Sequence, residues 1–398
     1  MNRLAERTRW IKPSVTLAIA AKAQKLRAEG VDIVNFSAGE PDFDTPERVK
    51  QAAVEALRKG MTKYTDVKGI EPLREAIAVK YRREYGLEYR KEEVLVSCGA
   101  KHSLYNVLQA TIDPGDEVVI PSPYWVSYSD MAVLAGGIPK LIPTTEETGF
   151  HITPGQLEAA LGPKARVFVL NSPCNPTGAT YSRDELLALG AILERHGCLV
   201  ITDDIYEKIV YEGFAVHNLV ALFPSLRDRT VIVNGVSKTY AMTGWRIGYA
   251  LGPEGVIGAA AKIQSQSTSN PTSIAQAAAL EAIAGPQDEV AAMVAEFHKR
   301  RDAIVAALGR IPGLRCHKPA GAFYVFPNVA AFLGKPARGK ILDSPCDIAD
   351  YLLEEARVAL VPGEDFGSRE HVRISYATSI ADIEKGCARI AAALARLL

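Results

Sequence analysis

Short runs of branched and other apolar residues recur along the chain, and each ends in a polar or small-residue turn. Val94 to Val96, Val118 to Ile120, Arg166 to Leu170, Leu199 to Thr202 and Val231 to Val233 have strand length and carry the side chains that strands favour. Helical segments such as Ser182 to His196 separate them. Strand and helix alternating in this way predicts an α/β fold, with a mainly parallel, mixed sheet between layers of helices. Ahead of it, Val15 to Arg27 has small apolar and basic residues at helical spacing, stopped by Gly30, and reads as an N-terminal arm. From the long helical stretch Gln287 to Leu308 onward the pattern becomes that of a smaller α+β unit. A boundary near Gly285-Pro286 therefore divides the chain into a large domain, 46–285, and a small one, 286–398, with residues 1–45 forming the arm and part of the small domain.

Length and composition fit two unequal domains. The chain has 398 residues, of which 48% are hydrophobic, enough for a large core. Its 46 basic and 46 acidic residues cancel, so neither nucleic acid nor another polyanion is an expected partner. The six cysteines are scattered without a Cys-x-x-Cys pair and read as reduced thiols. The seven histidines have no metal-ligand spacing, and no metal is expected. Met1 to Pro13 lacks the apolar core of a signal peptide, and no segment approaches the roughly 20 apolar residues of a membrane span, so cytoplasmic residence is the expectation.

Candidate chemistry begins with Lys238, which follows the run ending at Val233 in Asn234-Gly235-Val236-Ser237-Lys238-Thr239-Tyr240-Ala241-Met242-Thr243-Gly244-Trp245-Arg246. An amine attacks a carbonyl only when neutral, and burial beside cations moves it toward that state. Arg246 could supply such a charge and hold an anion. A phosphate-binding P-loop would need glycine where this chain has Ile232 and Ser237, so that reading fails. A second apolar run ends in Asp203-Asp204-Ile205-Tyr206, at the kind of strand end where open α/β sheets bind ligands. Without a P-loop, a carboxylate there suits a ring nitrogen better than magnesium beside a nucleotide.

These segments resemble the class I pyridoxal-phosphate aminotransferases, and within them the bacterial-type aspartate aminotransferases. The likeness runs over essentially the whole chain: Ser37-Ala38-Gly39-Glu40-Pro41-Asp42-Phe43, Tyr64 with Gly69 and Leu73-Arg74, Ser122-Pro123-Tyr124-Trp125, Asn171-Ser172-Pro173-Cys174-Asn175-Pro176-Thr177-Gly178, the Asp203 and Lys238 segments, and Arg373-Ile374-Ser375-Tyr376-Ala377. It implies the fold-type I architecture, pyridoxal 5′-phosphate as cofactor in the large domain, and a homodimer with shared active sites.

Each matched residue then acquires an implied role, because the cofactor's aldehyde, phenolic oxygen, ring nitrogen and phosphate must each be positioned. Lys238 would carry the aldehyde as a Schiff base and act as general acid and base. Asp203 would pair with the ring nitrogen, Asn175 and Tyr206 would hold the phenolic oxygen, and Trp125 would lie on the ring face. Ser237, Arg246 and the turn Gly99-Ala100-Lys101 would hold the phosphate, with Tyr64 reaching it from the neighbouring subunit. Arg373 would grip the substrate α-carboxylate through its planar fork, with Gly39 approaching closely.

The implied reaction is ping-pong transamination between aspartate or glutamate and 2-oxoglutarate or oxaloacetate, with prephenate as an additional acceptor. Thr16 and Lys101 resemble positions that contact the distal carboxylate; the alternative for Lys101 is a solvated lysine at a helix start. Aromatic or alanine aminotransferases, a carbon–sulfur β-lyase and an aminocyclopropane carboxylate synthase-like enzyme would keep nearly all of these motifs. A non-catalytic, cofactor-binding regulator would need a DNA-binding module, for which there is no room before Phe36. A nicotinamide dehydrogenase would need a Gly-x-Gly-x-x-Gly after a strand, and none is present.

Overall fold

The computed structural model describes residues 4–11 and 15–398, with the side chains of 15–18 and of residue 20 outside that description. Seven strands form the principal sheet: β1 Val94–Ser97, β2 Glu117–Ser122, β3 Ile138–Pro143, β4 Ala165–Asn171, β5 Leu199–Asp203, β6 Thr230–Gly235 and β7 Gly248–Leu251. Their spatial order is β1-β7-β6-β5-β4-β2-β3. All neighbours run parallel except those of β7, which is antiparallel to both β1 and β6. This is the mixed, mainly parallel sheet that the apolar runs predict.

The reason for the runs is visible in the packing. A strand sends alternate side chains to opposite faces, and both faces of the central strands are covered, so their inner positions are apolar in unbroken succession. Val118, Ile120, Val167, Val169, Val231 and Val233 point to one face and pack on Leu104, Val107 and Leu108 of the helix Ala100–Thr111 and on Ile257 and Ala260 of Glu254–Ser267. Val119, Phe168, Leu170 and Val200 point the other way, onto Leu186, Leu189 and Leu193 of Arg183–Arg195. That last helix opens with a reciprocal cap, in which Ser182 accepts from the Glu185 amide while the Glu185 carboxylate accepts from the Ser182 amide.

The C-terminal part packs around the 21-residue helix Asp288–Leu308 and the helix Ile380–Leu394. Beside them, Val361–Pro362, Val372–Ser375 and Tyr324–Val325 form a small antiparallel sheet. The N-terminal strand Val34–Asn35 pairs in parallel with Val358–Ala359, and Phe36 is buried in the same apolar cluster. The arm helix spans Val15–Ala28. Thr16 lies in it, but its side chain falls outside the described residues.

Candidate active site

The C-terminal ends of β4 and β5 set the first part of the site. Asn171 and Asp203 are opposite each other in the parallel register, and Asn171 Nδ2 donates to the Asp203 carbonyl at 2.8 Å. That bond fixes the backbone from which the Asp203 carboxylate projects. Asp203 Oδ2 accepts from the Tyr128 hydroxyl at 2.6 Å, and the Ile205 amide approaches Oδ1 at 3.3 Å. Burial raises the Asp203 carboxyl to about 6, against the hydrogen bonds from Tyr128 and Ile205 and the charge of Lys238, which lower it.

Next, β6 ends at Gly235 and leads to Lys238, which lines the same cavity. Its Nζ donates to the Gly39 carbonyl at 2.6 Å. Solvent reaches the amine only in part, and desolvation lowers its pKa to about 8; Arg373 and Arg246 push the same way, while Glu40 and Asp203 oppose. The ordinary barrier to a neutral lysine is thereby reduced at physiological pH.

At one end of the cavity the turn after β1 meets Arg246. Gly99 has φ +90° and immediately precedes the helix Ala100–Thr111, whose first amides carry the partial positive charge of a helix start. A Cβ on Gly99 would lie 2.6 Å from Arg246 Nη2, and one on Gly248 would lie 2.0 Å from the Ala100 amide nitrogen. Both glycines are therefore needed for the close approach of β7, the turn and the arginine. Arg246 donates through Nη1 to the Thr243 carbonyl and leaves its exposed guanidinium at the cavity. Lys101, also at the cavity, holds its Nζ 4.9 Å from the centre of the Trp125 ring.

Arg373 lines the same cavity. It is 2% exposed, donates through Nη1 to Asn175 Oδ1 at 3.0 Å and through Nη2 to the Ser37 carbonyl at 2.9 Å, and packs its guanidinium on Tyr324 and Phe366. Its Nε is buried without a hydrogen-bond partner among the described residues. Among the described residues no carboxylate pairs with it, and a buried guanidinium with a spare donor calls for an anion. Tyr206 and Tyr324 join hydroxyl to hydroxyl at 2.9 Å beside it.

Gly39, Ala100, Lys101, Trp125, Asn175, Asp203, Tyr206, Ser237, Lys238, Arg246 and Arg373 thus surround one cavity of about 570 Å³. Gly99 stands behind Arg246 rather than at the cavity wall. Tyr64 is elsewhere, 90% exposed and outside this chain's own cavity. Two tyrosines in the wall escaped the sequence reading. Tyr128 follows Trp125 by three residues, one helical turn, and Tyr324 closes the run Gly321-Ala322-Phe323-Tyr324 in the C-terminal part of the chain.

The sequence pattern of the aminotransferase class I and II family matches residues 31–390. The chain belongs to this aminotransferase family. Among relatives of the aminotransferase, an aspartate/prephenate aminotransferase of Cereibacter sphaeroides is 50% identical, with all of both chains aligned. An aspartate aminotransferase of Geobacillus stearothermophilus is 48% identical over 98% of each chain. The crystal structure of the Rhizobium meliloti aspartate aminotransferase superimposes with a TM-score of 0.96 at 48% identity, covering 100% of both chains. The Thermus thermophilus aspartate aminotransferase with maleate gives 0.92 at 44% identity, again over both chains entirely.

Family membership implies pyridoxal phosphate, and the donor set suits it. A buried carboxylate hydrogen-bonded by Tyr128, an amine of lowered pKa, and an arginine beside a glycine turn and helix start offer partners for a ring nitrogen, an aldehyde and a phosphate respectively.

Proposed function

We propose that this aminotransferase moves an amino group between aspartate or glutamate and 2-oxoglutarate or oxaloacetate in a ping-pong cycle, and that prephenate is a further acceptor. The observation that carries the reading is the grouping of Lys238, Asp203 and Arg373 around one cavity. Pyridoxal phosphate, when bound, supplies an aldehyde for the amino group and a ring that takes up electrons from the substrate α-carbon. In this reading Asp203 holds the proton at the ring nitrogen, while Asn175 and Tyr206 hydrogen-bond the phenolic oxygen. Trp125 covers the ring face. Ser237, Arg246 and the turn Gly99-Ala100-Lys101 bind the phosphate.

Arg373 binds the α-carboxylate, with Gly39 close by, and so orients the bond that must break at the α-carbon. Lys238 Nζ would take up and pass on the proton of that carbon, a role that its lowered pKa favours near neutral pH. Lys101, with Thr16 of the arm, receives the distal carboxylate of the substrate. The maleate bound by the Thermus thermophilus relative, a four-carbon dicarboxylate, supports that choice.

The division into residues 1–45, 46–285 and 286–398 is part of the same proposal, as is a homodimer in the cytoplasm. Tyr64 supports the dimer. It projects from a loop held by two buried glutamines: Gln276 Nε2 donates to Thr65 Oγ1 at 3.1 Å, and Gln264 Nε2 donates to the Val67 carbonyl at 2.7 Å. A large aromatic side chain held out from a fixed loop suits insertion into a second copy, at its phosphate. Among the described residues no helix is long and apolar enough to cross a membrane.

A substrate panel tests the reading. Aspartate, glutamate, alanine and tyrosine are offered as donors, and 2-oxoglutarate and prephenate as acceptors. Aspartate and glutamate should lead by at least an order of magnitude in kcat/KM, a margin that one charge-assisted carboxylate contact supplies. Pyruvate and ammonia formed without an acceptor would instead mark a β-lyase.

A further inference from the structure

Tyr128 is the second residue of the helix Ser127–Leu134 and is anchored on every side. Its amide donates to the Trp125 carbonyl at 3.0 Å, its ring meets Trp125 edge to face at 5.3 Å, and it is buried in the apolar cluster of Ile120 and Val169. The side chain's single polar atom, the hydroxyl, has a partner of its own. It donates to Asp203 Oδ2 at 2.6 Å.

The direction of that bond is fixed by the surroundings. Burial first, and the charge of Asp203 second, push the phenol's pKa well up, so it stays protonated and can only donate to the carboxylate. Asp203 has little else to stabilise its negative charge. The Ile205 amide is 3.3 Å away, Lys238 acts through its charge alone, and the neighbouring Tyr206 and Cys174 are themselves held protonated by burial. A carboxylate in so dry a place becomes a base comparable with a pyridine, and two such bases compete for one proton.

We propose that Tyr128 is a positioning residue which, by donating to Oδ2, weakens Asp203 as a base and so keeps their shared proton on the cofactor's ring nitrogen. The proposal rests on the role for Asp203 given above. Removal of the phenol leaves Asp203 to draw the proton to its own oxygen, and the electron demand placed on the substrate α-carbon falls. Short O–H···O⁻ bonds are the strong kind, and the loss of one shifts such a balance roughly ten- to a hundredfold.

The test uses holoenzyme reconstituted with pyridoxal phosphate carrying ¹⁵N in the ring. In wild type the ¹⁵N chemical shift should report a protonated ring nitrogen. In Tyr128→Phe it should move toward the unprotonated value, and the half-reaction with aspartate should slow roughly ten- to a hundredfold. A second variant guards against a folding defect: 4-fluorophenylalanine at position 128 fills the hydroxyl's space without donating and should give the same shift. With the 1-deaza analogue, which has carbon in place of the ring nitrogen, wild type and Tyr128→Phe should react at the same rate, because there is no proton to share. A mere packing defect would slow both forms and would overturn the proposal. Unchanged ¹⁵N shifts in both variants would also overturn it while leaving Asp203 in place. An unprotonated ring nitrogen in wild type would remove the Asp203 role itself.

Discussion

Arg373 and Asn175 form one hydrogen-bonded unit, with Nη1 of the arginine donating to the asparagine Oδ1 at 3.0 Å. The group proposed to grip the substrate carboxylate is therefore oriented by the group proposed to hold the cofactor's phenolic oxygen. Arg373→Lys, which removes the fork and leaves Asn175 without its donor, should lower kcat/KM for aspartate roughly a hundredfold. Asn175→Ala should cost part of that, and the double variant should lose less than the sum. Steady-state kinetics on the four proteins would expose independent contributions by strict additivity.

Lys238 links chemistry to stability. Its pKa in the folded protein falls from the ordinary 10.5 to about 8. Between those values the unfolded chain holds more protons than the folded one, so stability rises with pH across that window. In protein without cofactor, Lys238→Met should gain stability over wild type below pH 8, and the gain should shrink by up to about 3 kcal/mol as pH rises to 10.5. Urea titrations at several pH values measure it, and a difference flat with pH would contradict a desolvated amine. The same variant should have no turnover and take no borohydride label with cofactor present.

Gly248 tests the phosphate end through the backbone alone. A Cβ there would sit 2.0 Å from the Ala100 amide and 2.4 Å from the Gly99 carbonyl carbon, and backbone cannot swing aside as a side-chain tip can. Gly248→Ala should cost about 1–3 kcal/mol of stability, as overpacking does, and should weaken cofactor binding at least tenfold by displacing the helix start. Cofactor titration followed by absorbance checks this. Wild-type affinity in the variant would separate the turn from phosphate binding.

Lys101 should govern selectivity rather than chemistry. Lys101→Gln keeps most of the stem and removes the charge, so kcat/KM for aspartate and glutamate should fall roughly tenfold or more while alanine changes little. Equal losses for all donors would place Lys101 with the cofactor instead.

Much of this was legible in the sequence because the sheet is buried on both faces, which forces the unbroken runs at Val118 to Ile120 and Val231 to Val233. The helix Arg183–Arg195 was equally clear as the segment Ser182 to His196. The antiparallel strand Gly248–Leu251 was not, since its Gly-Tyr-Ala-Leu carries no β-branched residue and owes its place to partners on either side. Asp203 stood out because it ends a strand, and Lys238 because it follows one within three residues. Tyr128 and Tyr324 did not, because an aromatic on an apolar helix or in a short strand reads as core, which most of each ring is. Only the fold reveals that their hydroxyls end on Asp203 and Tyr206.

The rung that aligns Asn171 with Asp203, bordered by Val233 on the next strand, has a consequence for redesign. Spacing between the acid and its neighbours is dictated by the repeat of the sheet itself, whereas Lys101, Trp125 and the Glu364–Asp365 rim hang from segments outside it. An engineer seeking a new amino donor would therefore begin with the Glu364–Asp365 segment, to which no cofactor contact is assigned, treating the strands as a chassis whose dimensions are already set.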